Sequence, residues 1–245
     1  MQHHNSEKNQ LLLKNAFKDV IKEQISLGGD IITDGEIDRE NYIWNFCRFH
    51  LNGFDFDHLK RVEARNGATF MIMPQITNKV TLKKEAMDLM SQQWSELQKL
   101  SSKPLKIAIP GPMTIMDSTH NEYYKNNSDA LLADLAQCIN TFLVHLSNKC
   151  EVKYIQIDEP IWARKCEEAN RIGFKVMQKC WENIPTHIYK AIHICCGYAN
   201  ELDIKYQKAD NHSYVKLLKY GMDRHLVDNC GVNGITIEDA HHRFD

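Results

Sequence analysis

Five short runs of apolar, β-branched residues punctuate the sequence, and each gives way abruptly to polar or turn residues. They lie at 30–33 (DIIT, then DGE), 105–109 (LKIAI, then PGP), 153–157 (KYIQI, then DEP), 187–194 (HIYKAIHI, then CCG) and 234–237 (GITI, then EDAHH). Runs of this kind fit strands buried on both faces. Between them, helical patterns cover roughly 11–27, 82–100, 129–149, 166–181 and 213–221. Strand alternating with helix predicts βαβ units and a parallel sheet. The pieces from 54 to 77 break this rhythm. They read as an antiparallel hairpin in an insertion at about 39–77. No Gly/Ser linker, low-complexity tract or strict repeat divides the chain, so a single domain over 1–245 is expected.

Composition removes several classes of function. The 30 Lys and Arg nearly balance 32 Asp and Glu, which argues against a nucleic-acid binder or a polybasic membrane anchor. No run of about 18 consecutive apolar residues is present, so no membrane span is expected. The polar start has no apolar signal core, and the eight cysteines are irregularly spaced. Reduced thiols and a cytoplasmic location follow as expectations. No G-x-G-x-x-G follows a strand and no Walker-type loop occurs, so neither dinucleotide nor P-loop chemistry has support.

In a parallel α/β barrel the functional residues sit where the strands end. Here those positions hold Asp34, Glu36, Asp158, Glu159, His193, Cys195, Glu238, Asp239, His241 and His242. Singly, each also fits a solvated loop or a helix N-cap. His193 and Cys195 are two apart and share a face of a strand, whereas Cys196 points away. An imidazole and a thiolate projecting together suit Zn²⁺, which takes N, S and O ligands at about 2.0–2.3 Å. Glu238, at the next strand end, offers an oxygen. A buried His beside a structural Cys is the plainer alternative. Glu36 and Asp158 form a second constellation, able to bind an ammonium group or do acid/base work. Asp158-Glu159-Pro160 equally resembles a helix start capped by Asp158. Gly111 permits close backbone approach, so a ligand or a plain turn fits Gly111–Thr114. Tyr42, Trp44, Phe46 and Trp162 suit either a flat heterocycle or core packing.

Taken together, DGEIDREN, IPGPMTIMD, YIQIDEP, HICCGY and ITIEDAHH resemble the catalytic barrel of the cobalamin-independent methionine synthase family, most closely its short, single-barrel members. The resemblance runs from about Gly28 to His242. It implies a (β/α)8 TIM barrel, of a type shared with uroporphyrinogen decarboxylase, and methyl transfer from 5-methyltetrahydrofolate, often polyglutamylated, to the thiol of homocysteine. It implies one Zn²⁺ held by His193, Cys195 and Glu238, with Glu36 and Asp158 holding the amino-acid moiety. Partners would be small molecules, with neither nucleic acid nor membrane. The five runs match the second to sixth strands of that barrel. The chain is therefore expected to be truncated at both ends, without the family's fourth zinc ligand and proton-donating His. A different thiol, a corrinoid methyl donor or a noncatalytic zinc-binding fragment are the alternatives.

Overall fold

The computed structural model describes residues 7–64, 69–195 and 211–237. The chain begins with α1 (Glu7–Ser26) and then makes a parallel bridge from Ile32 to Leu105. After α2 (Tyr42–His50) it forms a hairpin of β1 (Leu51–Ala64) and β2 (Thr69–Leu82), followed by α3 (Lys84–Gln98). Next come β3 (Lys106–Pro110), α4 (Pro112–Asp117), the two-residue β4 (His120–Asn121), α5 (Ser128–Lys149) and β5 (Tyr154–Asp158). An interrupted helix follows, with α6 (Ile161–Arg164), α7 (Cys166–Glu168), a π turn at Ala169–Gly173 and α8 (Phe174–Trp181). The described chain ends with β6 (Tyr189–Ile194), α9 (Asn211–Lys219), α10 (Met222–Arg224), a second π turn at His225–Asn229, and β7 (Gly234–Ile237).

β3, β5, β6 and β7 form a parallel sheet in that order, and Ile32 bridges to the residue before β3. Five parallel positions thus follow one another in chain order. A doubly wound sheet would reverse its order at a switch point. An unreversed order is that of a (β/α)8 barrel, here an open arc among the described residues.

The first expected strand shrinks to one bridge for a local reason. Ile32 keeps two ladder bonds, its N–H donating to Pro104 O and its carbonyl accepting from Lys106 N. The Gln24 side chain holds both backbone groups of Thr33, which face away from β3, at 2.9 Å each, and the chain then turns off the sheet at Gly35 and Glu36, both at positive φ. The insertion needs a correction too. Its first part is a helix, α2, started by Asn41, whose Oδ1 accepts from Ile43 N and Trp44 N. Only then does the expected antiparallel hairpin begin, and it runs on to Leu82. The helix expected at 166–181 starts earlier and is broken. At its π turn Gly173 comes so close to Met113 that an added Cβ would sit 2.6 Å from the sulfur.

On the helix-covered face of the sheet, Ile107, Ile109, Ile155, Ile157, Ile192 and Ile194 are buried. The opposite face carries the chemistry in register. One row is Ala108, Gln156, Ala191 and Gly234; the next, toward the strand ends, is Pro110, Asp158, His193 and Thr236.

Candidate active site

Parallel register puts Asp158 of β5 beside His193 of β6, and His193 beside Thr236 of β7. Asp158 is buried, and its Oδ1 accepts from Gln156 Nε2 at 2.7 Å. Gln156 Oε1 in turn accepts from Lys106 Nζ at 2.6 Å. Burial raises Asp158 to about 7, and the neighbouring Glu36 carboxylate pushes the same way. The Gln156 hydrogen bond, Lys106 and Arg39 only partly oppose this.

Glu36 sits at φ 53, in the left-handed region, on a turn closed by its N–H donating to Asp34 Oδ1. Arg39 fastens this turn. It bonds Asp34 Oδ2 at 2.6 Å, reaches Glu36 Oε1 at 3.2 Å and donates to Ala108 O of β3. Glu36 is also raised, first by burial and then by Asp34 and Asp38, against Arg39 and Lys106. Tyr42, at the start of α2, lies within the field of Asp158, Cys195, Glu159 and Glu36. Burial and these groups hold its phenol well above the usual range. Four strand-end residues expected from the sequence, Glu36, Asp158, Glu159 and Cys195, therefore act on one phenol.

Glu159 has a different task from the one its place among the acids suggested. It is fully buried, and its carboxylate accepts from Met113 N, Thr114 N and Thr114 Oγ1 at 2.7–3.0 Å. It thus caps α4, whose Pro112 begins the helix. Burial raises Glu159 to about 8 against those three bonds. The close approach allowed at Gly111 is used by this carboxylate, since an added Cβ would lie 2.3 Å from Glu159 Oε1. The Asp158 cap suggested by the Asp-Glu-Pro sequence is not formed: α6 starts at Ile161, preceded by Pro160 and without a side-chain cap.

His193 is half-buried, with Nδ1 3.0 Å from Thr236 Oγ1. The Thr236 hydroxyl donates to Ile192 O at 3.4 Å. When that hydroxyl proton goes to Ile192 O, the oxygen accepts from His193 Nδ1–H and Nε2 carries the lone pair. That tautomer suits metal ligation, with the outer partner orienting the ring. Cys195 follows β6 and is half-buried. Glu238, Asp239, His241, His242 and Cys196 lie outside the described residues. Among the described residues no three His, Cys, Asp or Glu side chains gather around a metal position. Of the aromatics, Trp162 and Phe46 belong to the core. Trp44 is half-buried and donates to Ser118 O at 3.4 Å.

Lys106, Gln156, Arg39 and Thr236 are the site residues that sequence reasoning passed over or left without a role. Two-residue alternation places Gln156 on the face of Asp158 without giving it a role, and the same step back from Glu238 would have picked out Thr236. A surface depression of about 510 Å³, lined by Lys175, Tyr220, Arg224 and His225 among others, lies in the helix layer and includes none of these groups.

A barrel arc with acids, an imidazole and a thiol at its strand ends defines an α/β-barrel enzyme whose chemistry sits at one rim. Residues 1–214 match the catalytic domain of the cobalamin-independent synthases, and the chain belongs to that family. It is 29% identical to the methionine synthase of Saccharolobus solfataricus P2, over 94% of this chain and 69% of that protein. With the methionine synthase of Saccharolobus islandicus Y.G.57.14 the identity is 31% over the same shares. Its fold matches that of a B12-independent methionine synthase from Shewanella sp. W3-18-1 in complex with selenomethionine, with a TM-score of 0.79 and 24% identity. That match covers 98% of this chain and 67% of the other.

Proposed function

We propose that this chain carries the site for methyl transfer from 5-methyltetrahydrofolate to the thiol of homocysteine, giving methionine. The observation that carries the reading is the row in which Asp158 and His193 stand side by side, with Glu36 acting on Asp158. A buried carboxylate pushed up by a neighbouring carboxylate is relieved by a cation placed between the two. The ammonium of an amino acid is such a cation, and its side chain then reaches toward β6. Selenomethionine, held by the Shewanella protein, has that ammonium and a chalcogen at the reacting position.

His193 and Cys195, with Glu238, would hold a zinc ion, and the Thr236 contact at Nδ1 leaves the Nε2 edge of His193 for it. Zinc bound there supplies a thiolate near neutral pH, where a free thiol with a pKa of about 8.5 is largely protonated. The protein's own part is placement. Glu36 and Asp158 fix the amino-acid end, and Arg39 ties the Glu36 turn to β3. Alignment of sulfur with the methyl carbon then supplies much of the rate, because the N5-methyl is a weak electrophile.

Zinc-loaded protein should form methionine from L-homocysteine and 5-methyltetrahydrofolate or its triglutamate, detected by mass spectrometry. Asp158→Asn should raise the homocysteine KM at least tenfold. A zinc-loaded protein that methylates a different thiol, uses only methylcobalamin, or forms no methionine with any of these donors would overturn the reading.

A further inference from the structure

Barrel interiors are ordinarily filled by layers of branched apolar side chains. On the corresponding face of this sheet, the rows beneath Asp158 carry instead a lysine and a buried glutamine. Lys106 Nζ donates to Gln156 Oε1 at 2.6 Å, and Gln156 Nε2 donates to Asp158 Oδ1 at 2.7 Å. The direction of this chain is fixed by its first member. An ammonium has three donors and no acceptor, so the glutamine must turn its oxygen toward Lys106 and its NH₂ toward Asp158. Donation by a charged group also polarises the amide and strengthens its second bond. Without Lys106 the amide could flip and present an oxygen to the carboxylate.

We propose that Lys106 and Gln156 are positioning residues for the amino group of the substrate. They hold Asp158 by Oδ1 as an acceptor, with Oδ2 turned to the ligand, so that the amino-acid end is recognised through a relay that starts two rows below it. The proposal rests on the reading that Asp158 receives the ammonium. It adds that the recognition depends on residues that never touch the ligand. It also predicts discrimination for the amino group itself, separate from affinity for the rest of the molecule.

The test compares two probes that need no metal, L-methionine and 4-(methylthio)butanoate, which lacks the amino group. Calorimetry on the full chain gives the ratio of their dissociation constants. Lys106→Met and Gln156→Leu should each reduce that ratio about tenfold, mostly through weaker L-methionine binding. The double variant should do little more than either single one, because both break one relay. Lys106→Arg, which keeps a donor-only cation, should recover most of the ratio. Thermal melts and far-UV circular dichroism establish which variants fold, and either single variant suffices for the comparison. Equal weakening of both probes, or an unchanged ratio in folded Lys106→Met or Gln156→Leu while Asp158→Asn collapses it, overturns the relay and leaves the proposed function standing. An unchanged ratio in Asp158→Asn overturns the assignment of Asp158, and the relay with it.

Discussion

Thr236 holds the Nδ1 edge of His193 at 3.0 Å, and that contact has a measurable consequence. Its hydroxyl sits between Ile192 O and His193 Nδ1, so valine, nearly the same shape, removes the orienting partner and little else. Thr236→Val should weaken zinc binding by about 10–100-fold, as loss of an outer partner does elsewhere, read by competition with a chromophoric chelator. Cys195→Ala should weaken it further, and Cys196→Ala less than Cys195→Ala; equal losses from the two cysteines would mean that the strand register does not set the ligand. The buried acids set the pH response of the zinc-free protein. Burial lifts Asp158 to about 7 from 3.8 and Glu159 to about 8 from 4.5. The fold therefore binds more protons than the unfolded chain between those values. This contribution is complete below about pH 4 and is lost as pH rises through 7 and 8, at up to about 1.4 kcal/mol per pH unit for each carboxyl. Denaturation midpoints should fall from pH 5 to 9, and Asp158→Asn should flatten the lower part of that fall. A midpoint that rises across this range would contradict the assignment.

Among the elements, α4 shows most clearly how sequence and structure part company. Its six residues carry no readable periodicity, and its start is set by Pro112 and by a carboxylate 45 residues away in the chain. Gly111→Ala would drive a Cβ into that carboxylate, displacing three hydrogen bonds from a buried site. A loss of about 2–4 kcal/mol in urea unfolding is expected. Glu159→Gln should cost about 1–3 kcal/mol, because one of its two acceptors becomes an NH₂ facing a donor. α2 escaped notice for a related reason, since it is marked by the Asn41 cap before a short apolar stripe. The long helices and the strands β3, β5 and β6 were legible because burial writes itself into runs of Ile, Leu and Val, whereas β7, half-buried to exposed, was legible from its β-branched residues alone. The strand at Ile32 looked equally plain, yet the chain turns off the sheet at Gly35 and Glu36, and no local pattern announces that the Gln24 side chain, nine residues back, holds the outward groups of Thr33. At the site, alternation along single strands paired Gln156 with Asp158. The bond from Lys106 joins neighbouring strands 50 residues apart and needed the sheet register.

The whole molecule turns on α5, which composition alone misdescribes. Its 22 residues are long and apolar enough to cross a membrane, although no run of 18 apolar residues occurs in the chain. Its Leu131, Leu132, Leu135, Ile139, Phe142, Leu143 and Leu146 are instead closed off inside the protein. The helix packs against α3, α4, α8 and β2, and so joins the barrel arc to the hairpin. Phe142 lies at that junction, edge-on to Phe46 at 5.5 Å and tilted against His50 at 5.1 Å. If the apolar face of α5 is the interior of a water-soluble fold, truncating Phe142 must leave a cavity that loosens both halves together. Phe142→Ala should then lower unfolding stability by about 3–5 kcal/mol in detergent-free buffer. Leu89→Ala, on the exposed side of α3, should change it by no more than about 0.5 kcal/mol. Urea titrations followed both by far-UV circular dichroism and by tryptophan fluorescence should give coincident transitions for the Phe142 variant, since Trp162 and Trp181 share the core with it. A helix that met lipid along this face would instead leave the protein insoluble without detergent and nearly indifferent to the Phe142 change.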